Sequence, residues 1–248
     1  MKRLLSIALC VAAVSAFGDT TIPLGQVGVT AISSSLQNTI VAVSYDDLTG
    51  GSGTVVSNFV KTANLTEGDQ LAIFRGSGTY DTWVLETKDG VKCWAKNDKT
   101  FTVEADGQLK EGTGMSASDI AQAVGTGIWL CRKRKPTSAF AFYIYGKPAT
   151  TKTIRTEPGV WNLVGNPGQS AVTITKGIVP AANNDAILVP AEDGLVTYVF
   201  KTKADDGNGG KGAWCRAAGA DGVLGPAPVI EGGKGFWIMT AGAVDIKW

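Results

Sequence analysis

The chain has 248 residues, a formal net charge of +1 and no histidine. The near-neutral charge provides no field that would attract nucleic acid or an anionic membrane, and the lack of histidine excludes a Ser-His-Asp triad, a Cys-His pair and an imidazole metal site. We therefore expect no metal, no cofactor and no nucleic-acid partner.

The first element in chain order is a segment typical of export signals. Lys2 and Arg3 precede an apolar run over residues 4–14, and small residues up to Gly18 offer a cleavage site. This pattern predicts a secretory signal peptide over residues 1–18. The run is too short to span a bilayer, and no later stretch predicts a transmembrane helix. The expected location is outside the cell or on the surface of an exporting bacterium.

Short runs of alternating apolar and polar residues follow, and this period of two predicts half-buried antiparallel strands. The runs cover residues 40–45, 100–105, 139–145, 172–175, 196–200 and 244–248. The apolar aromatic run over residues 128–131 is also predicted to be a strand. Asp89-Gly90 and Asp193-Gly194 are typical of hairpin turns. One short helix is predicted over residues 116–123, with Ser116 as its cap.

Two sets of landmarks recur in the same order, which predicts an internal repeat. The matching pairs are GTGIWL (125–130) with GKGFWI (233–238), Asp69-Gln70-Leu71 with Asp185-Ala186-Ile187, and Cys93-Trp94 with Trp214-Cys215. A Thr/Lys-rich stretch near residues 146–158 predicts the boundary between the copies.

The expected architecture is therefore all-β, with two tandem, similar small antiparallel β domains that are sandwich-like or barrel-like. The first unit covers residues 19–147 and the second covers residues 148–248. The sequence leaves open whether the two units share one core.

Three cysteines remain after the predicted signal peptide: Cys93, Cys131 and Cys215. For Cys131 two interpretations stay open, a buried apolar side chain or a disulfide with Cys93 in an oxidising compartment. Residues 132–135 are four consecutive positive charges. We interpret them as a solvated loop that could contact an anionic glycan, lipopolysaccharide or a partner protein.

The repeated Gly-x-Gly-x-Trp blocks are interpreted as structural. A dinucleotide-binding loop would need a helix after the glycines, whereas an apolar aromatic run follows here. No catalytic constellation is recognisable, so we expect no enzyme. The alternative is a carboxylate-based glycoside hydrolase, which needs two facing acids. The sequence offers Asp46, Asp47, Glu86, Glu104 and Asp221 without singling out a pair.

Seven tryptophans are present. Trp94, Trp129, Trp214 and Trp237 belong to the repeated landmarks and are expected to pack in the core or between sheets. Exposed indole faces stack on sugars, so a carbohydrate-binding module is an alternative. Its weak candidates for glycan stacking are Trp83, Trp94 and Trp161.

Several motifs carry a resemblance to a known group. They are NLTEGDQL (64–71), YDTW (80–83), GIWL (127–130), VWNLVGN (160–166) and GFWI (235–238). Together they resemble uncharacterised secreted two-repeat β-rich proteins of bacteria of the Verrucomicrobia and Lentisphaerae kind. The resemblance covers nearly the whole mature chain and implies a secreted, repeated, all-β protein. It implies no activity and no site residue.

The expected function is that of a secreted or cell-surface structural or adhesion-type protein without catalytic activity. The alternative is the carbohydrate-binding module. The expected partners are a surface glycan, another extracellular protein or a second copy of the chain.

Overall fold

The structure is a computed structural model that describes residues 28–46, 59–61, 65–97, 99–103, 109–111, 122–135, 137, 139–148, 153–205, 211–217 and 226–248. Over these ranges the chain forms strands, turns and loops without a helix, which confirms the all-β class. Within these described ranges, no helix is long and apolar enough to cross a membrane. The predicted signal peptide (1–18) and residues 116–121 of the predicted helix lie outside the described residues.

The strands are β1 (Gly28–Ser34), β2 (Asn38–Ala42), β3 (Tyr45–Asp46), β4 (Phe59–Lys61), β5 (Gln70–Gly76), β6 (Thr79–Lys88), β7 (Val91–Lys96), β8 (Lys99–Val103), β9 (Leu109–Glu111), β10 (Gly127–Cys131), β11 (Phe140–Pro148), β12 (Thr153–Arg155), β13 (Asn162–Gly165), β14 (Val172–Thr173), β15 (Ala186–Ala191), β16 (Gly194–Asp205), β17 (Lys211–Arg216), β18 (Val229–Ile230), β19 (Gly235–Met239) and β20 (Asp245–Lys247).

Two larger antiparallel sheets have matching strand orders. The first is β2-β10-β5-β6-β7-β8-β9, and the second is β13-β19-β15-β16-β17. The first five positions correspond: an edge strand, the Gly-x-Trp strand, and then three strands joined as hairpins. In both halves the strand before the edge strand pairs with the strand after the Gly-x-Trp strand, as β1 with β11 and β12 with β20.

The strand registers of the two halves also correspond. Trp129 faces Ile40 on the edge strand of the first sheet, and Trp237 faces Leu163 on the edge strand of the second. The two tryptophans therefore occupy equivalent positions, one strand in from the edge.

The second tryptophan landmark corresponds only in part. Trp94 faces Leu85, and Trp214 faces Phe200, and both indoles are 1% exposed. The neighbouring cysteines are not equivalent, because one precedes its tryptophan and the other follows it.

The predicted alternative of a Cys93–Cys131 disulfide is wrong, because both thiols are free. Cys93 lies on β7 and Cys131 on β10, with β5 and β6 between them. Three inter-strand steps amount to about 14 Å, whereas a disulfide needs Cα atoms within about 7 Å. Cys131, for which a buried apolar side chain was the other interpretation, is only partly buried, whereas Cys93 is buried.

A buried aspartate anchors the turn before the third sheet strand in each half. Asp69 accepts hydrogen bonds from the backbone N–H groups of Thr66 and Lys133, both at 2.9 Å. Asp185 accepts the equivalent bonds from Ala182 and Ala241, both at 2.8 Å. Each carboxylate thereby ties this turn to the segment that follows the Gly-x-Trp strand.

The interpretation of residues 132–135 as a wholly solvated loop is wrong for its first residue. Arg132 is 5% exposed, and its Nε lies 2.7 Å from Oδ2 of Asp69. A buried guanidinium needs such a counter-charge, since desolvation of an unpaired cation is costly. The three following residues are exposed.

The two halves meet through one shared apolar cluster and through reciprocal hydrogen bonds. Ile40 of the first half packs with Leu163 and Trp237 of the second. Ala42 N donates to Gly233 O, and the equivalent Gly165 N donates to Gly125 O, both at 2.8 Å. Because equivalent residues are exchanged, the halves are related by an approximate two-fold arrangement at the junction.

The glycines of the Gly-x-Trp strands are explained by this close approach. A Cβ on Gly127 would lie 2.9 Å from Cγ of Leu163 in the second half, and a Cβ on Gly235 would lie 2.6 Å from Cγ2 of Ile40 in the first half. A side chain at either position would therefore push the sheets apart.

Candidate functional site

An open apolar pocket lies where the two halves meet. We call it the junction pocket, and it is lined by Asn38, Tyr80, Trp129, Trp161, Leu188, Leu195 and Trp237. Its volume is about 320 Å³, at the lower end of the range of small-ligand pockets. Neither half could form it alone.

Six of the seven lining residues form pairs of equivalent positions. The pairs are Trp129 with Trp237, Asn38 with Trp161, and Tyr80 with Leu195. Asn38 and Trp161 each lie two residues before the edge-strand residue that faces the tryptophan of their own half. Tyr80 and Leu195 each face, on the neighbouring strand, the residue that lies five positions after the buried aspartate of their own half. The pocket therefore lies at the approximate two-fold axis.

The rings of Trp129 and Trp237 contact each other across the junction between the two halves. Their ring centroids are 5.1 Å apart at an interplanar angle of 83°, the edge-to-face geometry that aromatic pairs prefer. Trp237 is 7% exposed, whereas Trp129 is half-buried. The expectation that these landmarks pack between sheets agrees with this contact, but both rings also line the pocket.

The wall contributed by the first half is the more polar one. The indole N–H of Trp129 donates to Oδ1 of Asn38 at 3.2 Å. The hydroxyl of Tyr80 donates to the carbonyl oxygen of Trp161 at 3.0 Å. These bonds leave the Asn38 amide nitrogen without a hydrogen-bond partner among the described residues, so its two N–H donors can serve a ligand.

Burial shapes the chemistry of Tyr80. It raises the pKa of the phenol above its ordinary value, and a hydrogen bond with the Trp237 side chain opposes that effect without reversing it. The ring also packs on Phe74 with centroids 5.3 Å apart. Tyr80 is therefore held as a neutral hydrogen-bonding group at physiological pH.

The three predicted glycan-stacking residues are not brought together. Trp83 and Trp94 are each 1% exposed and lie in the core of the first half, so neither has a face available for a sugar. Trp83 is three positions from Tyr80 on β6, so its side chain points to the opposite face of the sheet. Trp161 alone lines the junction pocket, where it is half-buried.

The sequence interpretation missed the other pocket residues. Trp129 and Trp237 were detectable through their matching motifs, because two tryptophans at equivalent positions meet when two halves pair through equivalent surfaces. Tyr80, Leu188 and Leu195 carry no comparable signal in the sequence.

A second cavity of about 230 Å³ also spans the two halves. It is lined by Leu36, Thr39, Ile40, Val189, Pro190, Val229, Ile230, Glu231, Lys234 and Gly235. Its two charged side chains contact each other, with Nζ of Lys234 at 2.5 Å from Oε2 of Glu231. The charged groups of this cavity are thus paired within the protein.

Two of the five carboxylates offered for a glycoside hydrolase, Asp46 and Glu86, can be placed, and they line neither cavity. Asp47, Glu104 and Asp221 lie outside the described residues. Glu231 is the single carboxylate among the described residues that line the two cavities. The described lining therefore contains no facing acid pair of the kind that this chemistry requires.

A charge cluster lies on the sheet face opposite to the Tyr80 side chain, because Asp81 follows Tyr80 directly on β6 and successive strand residues point to opposite faces. Nε of Arg75 lies 2.7 Å from Oδ2 of Asp81, and Lys96 contacts the other carboxylate oxygen. Burial opposes ionisation of Asp81, but the hydrogen bonds from Lys96 and Arg75 outweigh it and lower the pKa of the carboxyl. This cluster is an ion-paired surface feature and does not line the pocket.

No protein-family model, curated protein or solved structure matches this chain.

Proposed function

We propose that this protein is an exported, non-catalytic binding protein of the adhesion type, which holds its partner through the junction pocket. The observation that carries the proposal is the convergence of three indoles and one phenol, drawn from both halves, on an open apolar cavity. Leu195 at its rim is 47% exposed. Aromatic side chains at a surface pocket are the usual anchors of protein recognition.

Export is part of the proposal, and it is supported by the charged start, the apolar run and the small residues before position 19. The matched strand orders, the matched registers and the paired buried aspartates support an origin by duplication of one β-rich unit, with units over 19–147 and 148–248. Divergence at equivalent pocket positions would then have turned a symmetric junction into a binding site with two unlike walls.

A glycan-binding module is the second candidate. It is favoured by the half-exposed indole of Trp161 beside the free amide donors of Asn38. A glycan array read together with quenching of tryptophan fluorescence would support it if one sugar class quenched the wild type and not Trp161→Ala. The glycan-binding hypothesis would be contradicted if no plant, mucin or bacterial glycan gave binding on the array or quenched the fluorescence.

The proposal is tested by adhesion of the labelled mature protein to bacterial cells and to surfaces coated with extracellular proteins. We expect retention by at least one surface and about a tenfold loss for Leu195→Glu, because a buried unpaired charge at the anchor site disfavours binding. Val229→Glu is the matched control, since Val229 is also an exposed apolar strand residue, at 56%, and lies outside the junction pocket.

Two results would contradict the proposal. One is mature protein that adheres to none of these surfaces. The other is equal retention of wild type and Leu195→Glu. Export itself is checked by cell fractionation, where a chain that stays in the cytoplasm at full length would exclude a cleaved signal peptide.

A further inference from the structure

The polar groups of the junction pocket limit what can bind there. The indole N–H of Trp129 is used by Asn38, and the hydroxyl proton of Tyr80 is used by the carbonyl oxygen of Trp161. The Asn38 amide nitrogen is the donor that stays available on the first-half wall. A ligand that fills the pocket therefore finds one polar contact on that wall and apolar surface around the rest.

Leu188 and Leu195 form the apolar side of the pocket together with the Trp161 ring. Charged side chains are absent from the described lining. A charged ligand would consequently be desolvated without a counter-charge, which is unfavourable. A neutral group with an apolar body is the complementary occupant.

The volume of the pocket also favours a neutral, largely apolar occupant. A volume of about 320 Å³ is small for a binding pocket and suits one ring-sized group. A hexose of that size carries several hydroxyls, and each hydroxyl turned toward Leu188, Leu195 or an indole face would lose its water without gaining a partner. A sugar could touch the rim but would be penalised for filling the cavity.

We propose that the junction pocket takes a single aromatic side chain with one polar tip, and that a tyrosine of a partner polypeptide is its ligand. The ring packs on Trp161 and Leu195, and the phenol oxygen accepts a hydrogen bond from the Asn38 amide. This inference rests on the proposed function and specifies the chemistry of the same site.

The test is an NMR titration of the tryptophan indole N–H signals of the mature protein. The probes are N-acetyl-tyrosinamide, N-acetyl-phenylalaninamide, N-acetyl-leucinamide and methyl β-glucopyranoside. We expect the tyrosine probe to bind most tightly and to exceed the phenylalanine probe by about fivefold, the ratio that one neutral hydrogen bond supplies. The leucine and glucoside probes should be weaker than both.

Two variants separate the contributions of the walls. Trp161→Ala should weaken both aromatic probes by about tenfold or more, since it removes the stacking surface. Asn38→Ala should abolish the preference for tyrosine over phenylalanine. Because the readout is a ratio of two probes, a general loosening of the pocket leaves it unchanged. Val229→Ala should match the wild type.

The inference is overturned if the glucoside perturbs the pocket signals at lower concentration than the aromatic probes, or if no aromatic probe shifts them up to its solubility limit. It is also overturned if Asn38→Ala keeps the tyrosine preference. Should the probes fail while adhesion stays sensitive to Leu195→Glu, the adhesion proposal stands and only the ligand chemistry is wrong. Failure of both assays would contradict both the adhesion proposal and the proposed tyrosine ligand.

Discussion

Replacement of Gly235 by alanine tests how closely β19 is packed, both against its neighbouring strand β13 and against Ile40 of the first half. A Cβ at this position would lie 2.3 Å from the carbonyl oxygen of Val164 and 2.6 Å from Cγ2 of Ile40. The Ile40 side chain can rotate, but the Val164 oxygen belongs to the backbone of the neighbouring edge strand. The clash can be relieved only if that strand moves away from β19.

The expected magnitude combines two opposing effects. Overpacking of a well-packed site costs about 1–3 kcal/mol. Because the clashing atom is a backbone oxygen that cannot rotate away, we expect a cost at the upper end, about 3 kcal/mol. Alanine also restricts the unfolded chain and so regains about 0.4–1 kcal/mol where the native φ suits it. The net loss of unfolding free energy should be about 2–3 kcal/mol, which corresponds to a decrease of about 5–10 °C in Tm for a chain of this size.

Urea denaturation and thermal melting of the mature protein measure this loss. Gly242→Ala is the matched control, because a Cβ there meets nothing within 4 Å, and it should be neutral or slightly stabilising. Gly127→Ala should fall between the two, since its nearest neighbours are side-chain atoms of Ile40 and Leu163. The reasoning is refuted if Gly235→Ala melts together with Gly242→Ala.

The remaining predictions concern the buried groups. Asp69→Ala should lower the free energy of unfolding by about 3–5 kcal/mol, because it removes the counter-charge of a buried guanidinium. Asp185→Ala should lower it by only about 2–3 kcal/mol, because it removes two hydrogen bonds to the backbone. Equal urea midpoints for the two variants would contradict this assignment. Trp83→Ala should lower the free energy of unfolding by about 3–5 kcal/mol. Trp161→Ala should lower it clearly less, because Trp161 is only half-buried where it packs on the shared apolar cluster. The reverse order would place the two indoles wrongly. Because the folded-state pKa of Tyr80 is raised, the neutral phenol contributes stability that is present below the ordinary pKa of 10.0 and is lost as pH rises through the folded value. Phenolate absorbance should show a late-titrating tyrosine that Tyr80→Phe removes. Burial of the Tyr80 hydroxyl would be refuted if the tyrosine lost in Tyr80→Phe titrated together with the ordinary ones.

Local features of the fold were predictable because they depend on neighbouring residues. The alternation over residues 196–200 predicts the observed strand β16, and Asp89-Gly90 forms the expected turn between β6 and β7, with both residues at positive φ. The equivalence of Trp129 and Trp237 was also visible, because the same short motif surrounds both residues in the sequence.

The burial of individual charged and aromatic residues was less predictable. Arg132 stands in a run of positive charges that is typical of solvated loops, yet Asp69, more than sixty positions earlier in the chain, draws it into the core. Trp83 and Trp161 are similar in the sequence, but one lies under a sheet and the other lines a pocket. Such outcomes depend on which face of a strand meets another layer.

The amino-acid sequence by itself determined the all-β class, the order of many strands and turns, and the landmarks that recur in the two halves, since periodicity and turn chemistry act over a few residues. The tertiary structure alone decided that the halves approach each other closely at Gly127 and Gly235, and that Asn38, Tyr80 and Trp161 surround one cavity. The physical reason is that a pocket between two sheets is defined by distances between residues far apart in the chain. Those distances follow from how closely two backbones can approach, which no local pattern records.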